Sequence, residues 1–128
     1  MVRLSLNNDH NDILAENSYW KTNAVTKGFS SFNDLPGVSL SCKKLKSENG
    51  KLVFEIQNSS SIPAIGIKLN LVDEKNQIVL PAYFSDGYFT LLPGEKKTLS
   101  VGYSSEIKKM KIKTDGYNIK SELNLMGE

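Results

Sequence analysis

The chain is short of the residues that usually carry chemistry. Among 128 residues there is one cysteine, Cys42, one histidine, His10, and one arginine, Arg3. A single cysteine rules out an internal disulfide. One histidine and one cysteine also rule out a His₂ or Cys–His metal site. A cysteine nucleophile needs a partner base, and the only histidine sits in a polar turn, so we expect Cys42 to be a small buried hydrophobe. Arginine is nearly missing from a basic set of sixteen residues, and the formal net charge is only +2. Nucleic-acid readers cluster their basic residues and use arginine for bidentate contacts, so no nucleic-acid partner is expected. The lysines are instead scattered at alternate positions of strand-like runs, as on a solvated sheet face. No apolar run is long enough to cross a bilayer, so no membrane partner is expected. No leader peptide is visible either. With "MVRLSL" starting directly in a strand pattern, we read the chain as a piece of a longer protein with Met1 added for expression.

What is present reads as β-structure. Apolar residues make up 39% and charged residues 23%, enough to fold one modest core. Strand patterns occur at 2–6, 38–45, 51–58, 64–73, 78–84, 88–92, 97–103 and 107–113, with a weaker one at 118–125. In 64–73, Ile65, Ile67, Leu69 and Leu71 recur at a period of two, with Lys68 and Asn70 between them. The Asn49-Gly50 pair between two runs is a hairpin signal. Pro93-Gly94 predicts a type II turn, because proline presets the first central residue and glycine accepts positive φ at the second. No helical period appears. A long irregular stretch from about Lys21 to Gly37 holds Phe29, Phe32, Leu35 and Pro36, which we expect to pin it. The expected fold is all-β, an immunoglobulin-like (fibronectin-III-like) β-sandwich of about seven or more antiparallel strands with no disulfide. We divide the chain into an N-terminal strand and linker at 1–22, which can belong to a preceding domain, a sandwich at 23–119 and a tail at 120–128.

No catalytic residue, cofactor site or metal site is expected. A glycosidase needs two convergent carboxylates with separated pKa values. Here Asp73, Glu74, Asp86, Glu95, Glu106 and Asp115 fall in turns, where carboxylates serve local hydrogen bonds. The stretch "NNDHND" offers Asn7, Asn8, Asp9, Asn11 and Asp12 as oxygen donors, but without the spacing or closing glutamate of an EF-hand. We read it as a hydrophilic loop. The aromatic residues are more informative. "YFSDGYF" (83–89) could stack sugars, but alternation sends neighbours to opposite faces. Phe84 and Phe89 are therefore assigned to the core. Tyr83 and Tyr88 are placed outside, with wet hydroxyls.

Three stretches, "ENSYW" (16–20), "LNLVDEKNQIVLPAYFSDGYFTLLPGEKKTLSV" (69–101) and "KTDGYN" (113–118), occur in the same order in one family. Together they resemble the C-terminal immunoglobulin-like domain of family 2 glycoside hydrolases, of the exo-β-D-glucosaminidase and β-mannosidase type. Gly87 stands where that family often has Asn, and Tyr117 where Trp is frequent. The resemblance implies an accessory domain of a larger hydrolase whose catalytic residues lie in a separate (β/α)₈ barrel. It implies docking against that barrel or sister sandwich domains, in a bacterial protein exported to the periplasm or outside the cell. Tyr19, Trp20, Tyr83, Tyr88 and Tyr117 are the candidate docking or sugar-contact aromatics. Two alternatives remain at this stage: a carbohydrate-binding module using exposed aromatics, and a cell-surface immunoglobulin-like interaction domain.

Overall fold

A computed structural model describes residues 1–23, 28–107 and 109–126. Part of the expected irregular stretch, part of the 107–113 strand signal and the end of the expected tail lie outside these residues. The chain divides into two compact units, Met1–Asp34 and Leu35–Glu128.

The first unit holds a β-hairpin of β1 (Val2–Asn7) and β2 (Ile13–Tyr19), followed by a turn of 3-10 helix at Ser30–Asp34. The strand at 13–19 occupies residues the sequence placed in a linker. Its Glu, Asn and Ser are weak strand formers, and cross-strand pairing overrides their propensity. The turn between the strands is closed by Asn8. Its Oδ1 accepts from the backbone N–H groups of His10 and Asp12, and its Nδ2 donates to the Asp12 carboxylate.

The second unit is the sandwich. Its strands are β3 (Ser41–Glu48), β4 (Lys51–Gln57), β5 (Ala64–Asp73), β6 (Tyr83–Phe84), β7 (Tyr88–Leu91), β8 (Lys96–Gly102), β9 (Met110–Asp115) and β10 (Glu122–Leu125). They form two four-stranded sheets, β3-β4-β8-β6 and β10-β9-β5-β7. Each strand pairing is antiparallel. One sheet sends Leu52, Phe54, Ile56, Leu99 and Val101 into the core, and the other sends Ile67, Leu69, Leu71, Phe89, Leu91 and Ile112. Phe54, Leu52 and Ile56 are completely buried, each contributing roughly 1.5–3 kcal/mol by removal from water. The turns follow the expected chemistry. Asn49 and Gly50 both have positive φ between β3 and β4, and Gly94 has φ +79 with Glu95 N–H donating to Leu92 C=O.

Three local departures from strict alternation shape the surface. In β5, Ala64 pairs with Leu91 and Ile67 with Phe89, so three steps on one strand oppose two on the other. This bulge, at Gly66 with φ +62, puts Ala64 rather than Ile65 in the contiguous core. The period of two therefore holds only from Ile67 onward. In β3, Lys44 pairs with Phe54 and Lys46 with Val53, leaving Leu45 as the extra, exposed residue. The third departure lies in 78–84, which is not one continuous strand. Val72 and Ile78 make an isolated bridge, and the regular ladder is only Tyr83–Phe84. Pro81 removes a donor in the middle of that run.

Candidate docking face

The Ser85-Asp86-Gly87 turn carries the chain from one sheet to the other, since β6 pairs with β8 and β7 with β5. It is tied down on the β8 side. Ser85 N–H donates to Ser100 C=O, and Ser100 N–H donates back to Ser85 Oγ. The Asp86 carboxylate accepts from Tyr88 N–H at 3.3 Å and from the Lys97 ammonium at 2.6 Å. The same ammonium lies 4.9 Å from the centre of the Phe89 ring. The polar residues of this turn thus fix a crossover and position β7.

Fixing β7 sets the direction of its rings. Phe89 turns into the core beside Phe54 and Leu91, with Phe84 packed partly against the same cluster. Tyr83 and Tyr88 are 73% and 67% exposed, and they stand on different sheets. Tyr88 leans across the Gly66 bulge. A Cβ built on Gly66 would lie 2.9 Å from the Tyr88 hydroxyl oxygen and 3.6 Å from Tyr117 Cβ. Tyr88 and Tyr117, which is also exposed, therefore meet at one spot on the outer face of β5. Lys68 lies beside them, its ammonium 5.9 Å from the Tyr88 ring centre. The result is an amphipathic patch with two phenolic rings, a glycine floor and one cation.

Tyr19 and Trp20 belong to the first unit. Trp20 packs edge-on against Phe32 at 5.0 Å, and Phe32 packs against Phe29 at 5.4 Å. Trp20 thus has an aromatic neighbour of its own, whereas Tyr19 is half exposed on the hairpin. Ile78 and Leu80 were not singled out from sequence, yet they are exposed large apolar residues in the segment leading to Tyr83. The run "IVLPAY" carried a signal for this. Proline in an apolar run denies it a place in a ladder, and apolar side chains outside a ladder have no guaranteed inner face.

Of the turn carboxylates, those of Asp73, Glu95 and Asp115 are engaged locally, as Asp86 is. Asp73 Oδ1 accepts from the N–H groups of Lys75 and Gln77, and Glu95 Oε2 accepts from Leu92 N–H. Asp115 Oδ1 accepts from Gly116 N–H. Cys42 packs against the core, and its thiol is pushed up to about 12, first by burial and then by the Glu122 carboxylate. A thiol held that firmly in its protonated form is a poor nucleophile. Among the described residues no group of three or more His, Cys, Asp or Glu is placed to hold a metal ion. Among them, too, no helix is long and apolar enough to cross a membrane.

Two buried amides that sequence reasoning passed over organise the ends of the strands. Asn118 Oδ1 accepts from Ile65 N–H at 2.8 Å, while its Nδ2 donates to the carbonyls of Pro63 and Pro36. Asn58 Nδ2 donates to Ile62 and Leu91 C=O, and its Oδ1 accepts from Ser60.

Comparison with known proteins places this geometry. Residues 17–119 match the family described as the exo-β-D-glucosaminidase Ig-fold domain. An exo-β-D-glucosaminidase of Hypocrea jecorina is 29% identical over 144 aligned residues, covering 94% of this chain and 16% of that protein. One of Hypocrea virens is 30% identical over 125, covering 79% and 14%. The chain thus spans about a sixth of the curated relatives it matches. The crystal structure of the Amycolatopsis orientalis exo-chitosanase CsxA superposes with a TM-score of 0.73 over 94% of this chain and 17% of that one, at 19% identity. At that identity the likeness is one of fold.

Proposed function

Because this chain belongs to the exo-β-D-glucosaminidase Ig-fold domain family, we propose that it is a non-catalytic accessory domain that docks onto the other domains of a longer, extracellular exo-β-D-glucosaminidase. The observation that carries this reading is the extent of the match. The family covers most of the chain, while the chain covers only 16% of a whole relative. A catalytic barrel needs about 250 residues of its own. Three curated relatives carry the exo-β-D-glucosaminidase name, which favours β-linked glucosamine over mannose as the parent's substrate. The carboxylates of Asp73, Glu95 and Asp115 close turns and that of Asp86 pairs with Lys97, which supports the non-catalytic reading.

The docking surface is the patch of Tyr88, Tyr117 and Lys68 over Gly66, with Tyr83, Leu80 and Ile78 as a second contact region. Phenolic rings suit a half-wet contact because the ring buries apolar area while the hydroxyl stays hydrated. The domain contributes rigidity and excludes water from a neighbour's surface. Activity on an aryl β-D-glucosaminide tests the assignment. The longer polypeptide should hydrolyse it, and residues 1–128 alone should not. Turnover by residues 1–128 alone would overturn the reading, as would an inactive longer polypeptide.

A second reading is favoured by the exposure of the same rings, which would let them stack on a sugar. Calorimetric titration of residues 1–128 with chitosan oligosaccharides decides it. Millimolar or tighter binding that Tyr88→Ala abolishes would make the patch a carbohydrate site.

A further inference from the structure

The β1–β2 hairpin is amphipathic in a way its sequence hides. Residues paired across an antiparallel ladder share a face. Val2 pairs with Tyr19, Leu4 with Asn17 and Leu6 with Ala15. One face therefore carries Val2, Leu4, Leu6, Ala15 and Tyr19, interrupted only by Asn17. The other carries Arg3, Ser5, Asn7, Ser18 and Glu16, with the Arg3 guanidinium 3.7 Å from the Glu16 carboxylate, and its one large apolar member is Ile13, which pairs with Asn7 at the turn end beyond the bulged Leu14. The apolar side chains stand in the open, with Leu4 and Leu6 about 60% exposed. A two-stranded ribbon is marginal by itself, and a period-two apolar face is the inner surface of a sheet that packs on another sheet.

We infer that the hairpin is one layer of a second β-sandwich, built mostly from sequence upstream in the longer polypeptide, with its Val2–Leu4–Leu6–Ala15–Tyr19 face turned into that domain's core. This rests on the reading that the chain is one domain of a longer hydrolase. Two observations choose this occupant. The family match begins at residue 17, so β1 and the first half of β2 lie outside the domain that the family defines. The hairpin also falls in a compact unit separate from the sandwich. A second copy of the chain fits poorly. Six residues at about 3.3 Å each and a ribbon about 10 Å wide offer roughly 200 Å² per side. A standard stable interface buries roughly 1,200–2,000 Å² in total. So small a face needs a partner held beside it by covalent connection, which raises its effective concentration without requiring a large area.

Photo-crosslinking in the full-length polypeptide tests this. A benzoylphenylalanine is placed at Leu4 in one sample and at Ser5, on the polar face, in another. Peptide mapping should join position 4 to residues upstream of Met1 of the same polypeptide, with at least five-fold less product from position 5. Products between two copies would overturn the inference, as would products confined to residues 35–128 or equal yields from both positions. Hydrogen exchange gives a second readout. Leu4→Asp should remove protection from the β1–β2 amides of the full-length protein, and Ser5→Asp should leave it. Unprotected hairpin amides in the unsubstituted full-length protein would also sink the inference. Glucosaminidase activity with an exposed hairpin would remove this inference alone, whereas loss of the parent activity removes the reading beneath it.

Discussion

Asn118 shows how one side chain can join distant parts of a chain. Its amide meets the N–H of Ile65 and the carbonyls of Pro63 and Pro36, and its own backbone C=O accepts from Val38 N–H at 2.7 Å. The residue is 7% exposed, so water cannot replace these partners. Leaving such groups unpaired costs about 1–3 kcal/mol each before relaxation. Asn118→Ala should therefore lower unfolding stability by about 2–3 kcal/mol, read as a lower denaturation midpoint at unchanged slope. Asn118→Asp should be damaging too, since it keeps the acceptor for Ile65 but loses both donors. Neither Asn118 nor Asn58 was legible as a core residue, because asparagine usually marks surface and turns. "KTDGYN" was marked only by its resemblance to a family. Nothing in its hydropathy indicates that its last residue is the structural one. The apolar residues Phe54, Ile67 and Phe89 were legible, because alternation leaves them one face to occupy.

At the scale of elements, the sandwich strands were found where alternation is clean and lost where backbone geometry intervenes. β5 was bounded correctly at 64–73, yet its bulge leaves Ile65, though buried, out of the contiguous core cluster and puts Ala64 in it. No hydropathy pattern announces a bulge when both faces are apolar there. Gly66 was the available signal, since glycine inside a strand often marks one. Its role gives a direct comparison. Gly66 and Gly94 both have positive φ, but a Cβ on Gly94 meets nothing within 4 Å, while one on Gly66 meets the Tyr88 hydroxyl at 2.9 Å. Gly94→Ala should cost about 1 kcal/mol, the backbone term alone. Gly66→Ala should cost about 1–2 kcal/mol more, because Tyr88 must also move. Chemical denaturation of the two variants measures the difference, and equal losses would show that the phenol yields freely. The hairpin strand β2 was missed for the opposite reason. Its sequence is polar on one face and sparse on the other, so its strand character comes from pairing with β1.

For the whole molecule, the half-buried Cys42 thiol ties stability to pH. Burial, and then the Glu122 carboxylate, pushes the Cys42 thiol from its ordinary value of 9.0 up to about 12. The folded state thus holds its proton more tightly. This contribution is fully present below pH 9 and is lost as pH rises from 9 to 12. Denaturation at pH 8 and pH 10 should show a larger fall for the native sequence than for Cys42→Ala, with lysine titration common to both. Alkylation at pH 8 should be slow until denaturant opens the sandwich, and rapid labelling of the native protein would contradict the burial. The overall architecture was the most legible level, since turn signals and strand periods agree without any single motif. The longest strand at an edge of the sandwich is β3, eight residues ending a four-stranded sheet. It carries Lys43, Lys44 and Lys46 around the Leu45 bulge. Positive charge and a kink together make a poor template for an incoming strand. The domain is therefore guarded against fibrils that would grow by strand addition on that flank.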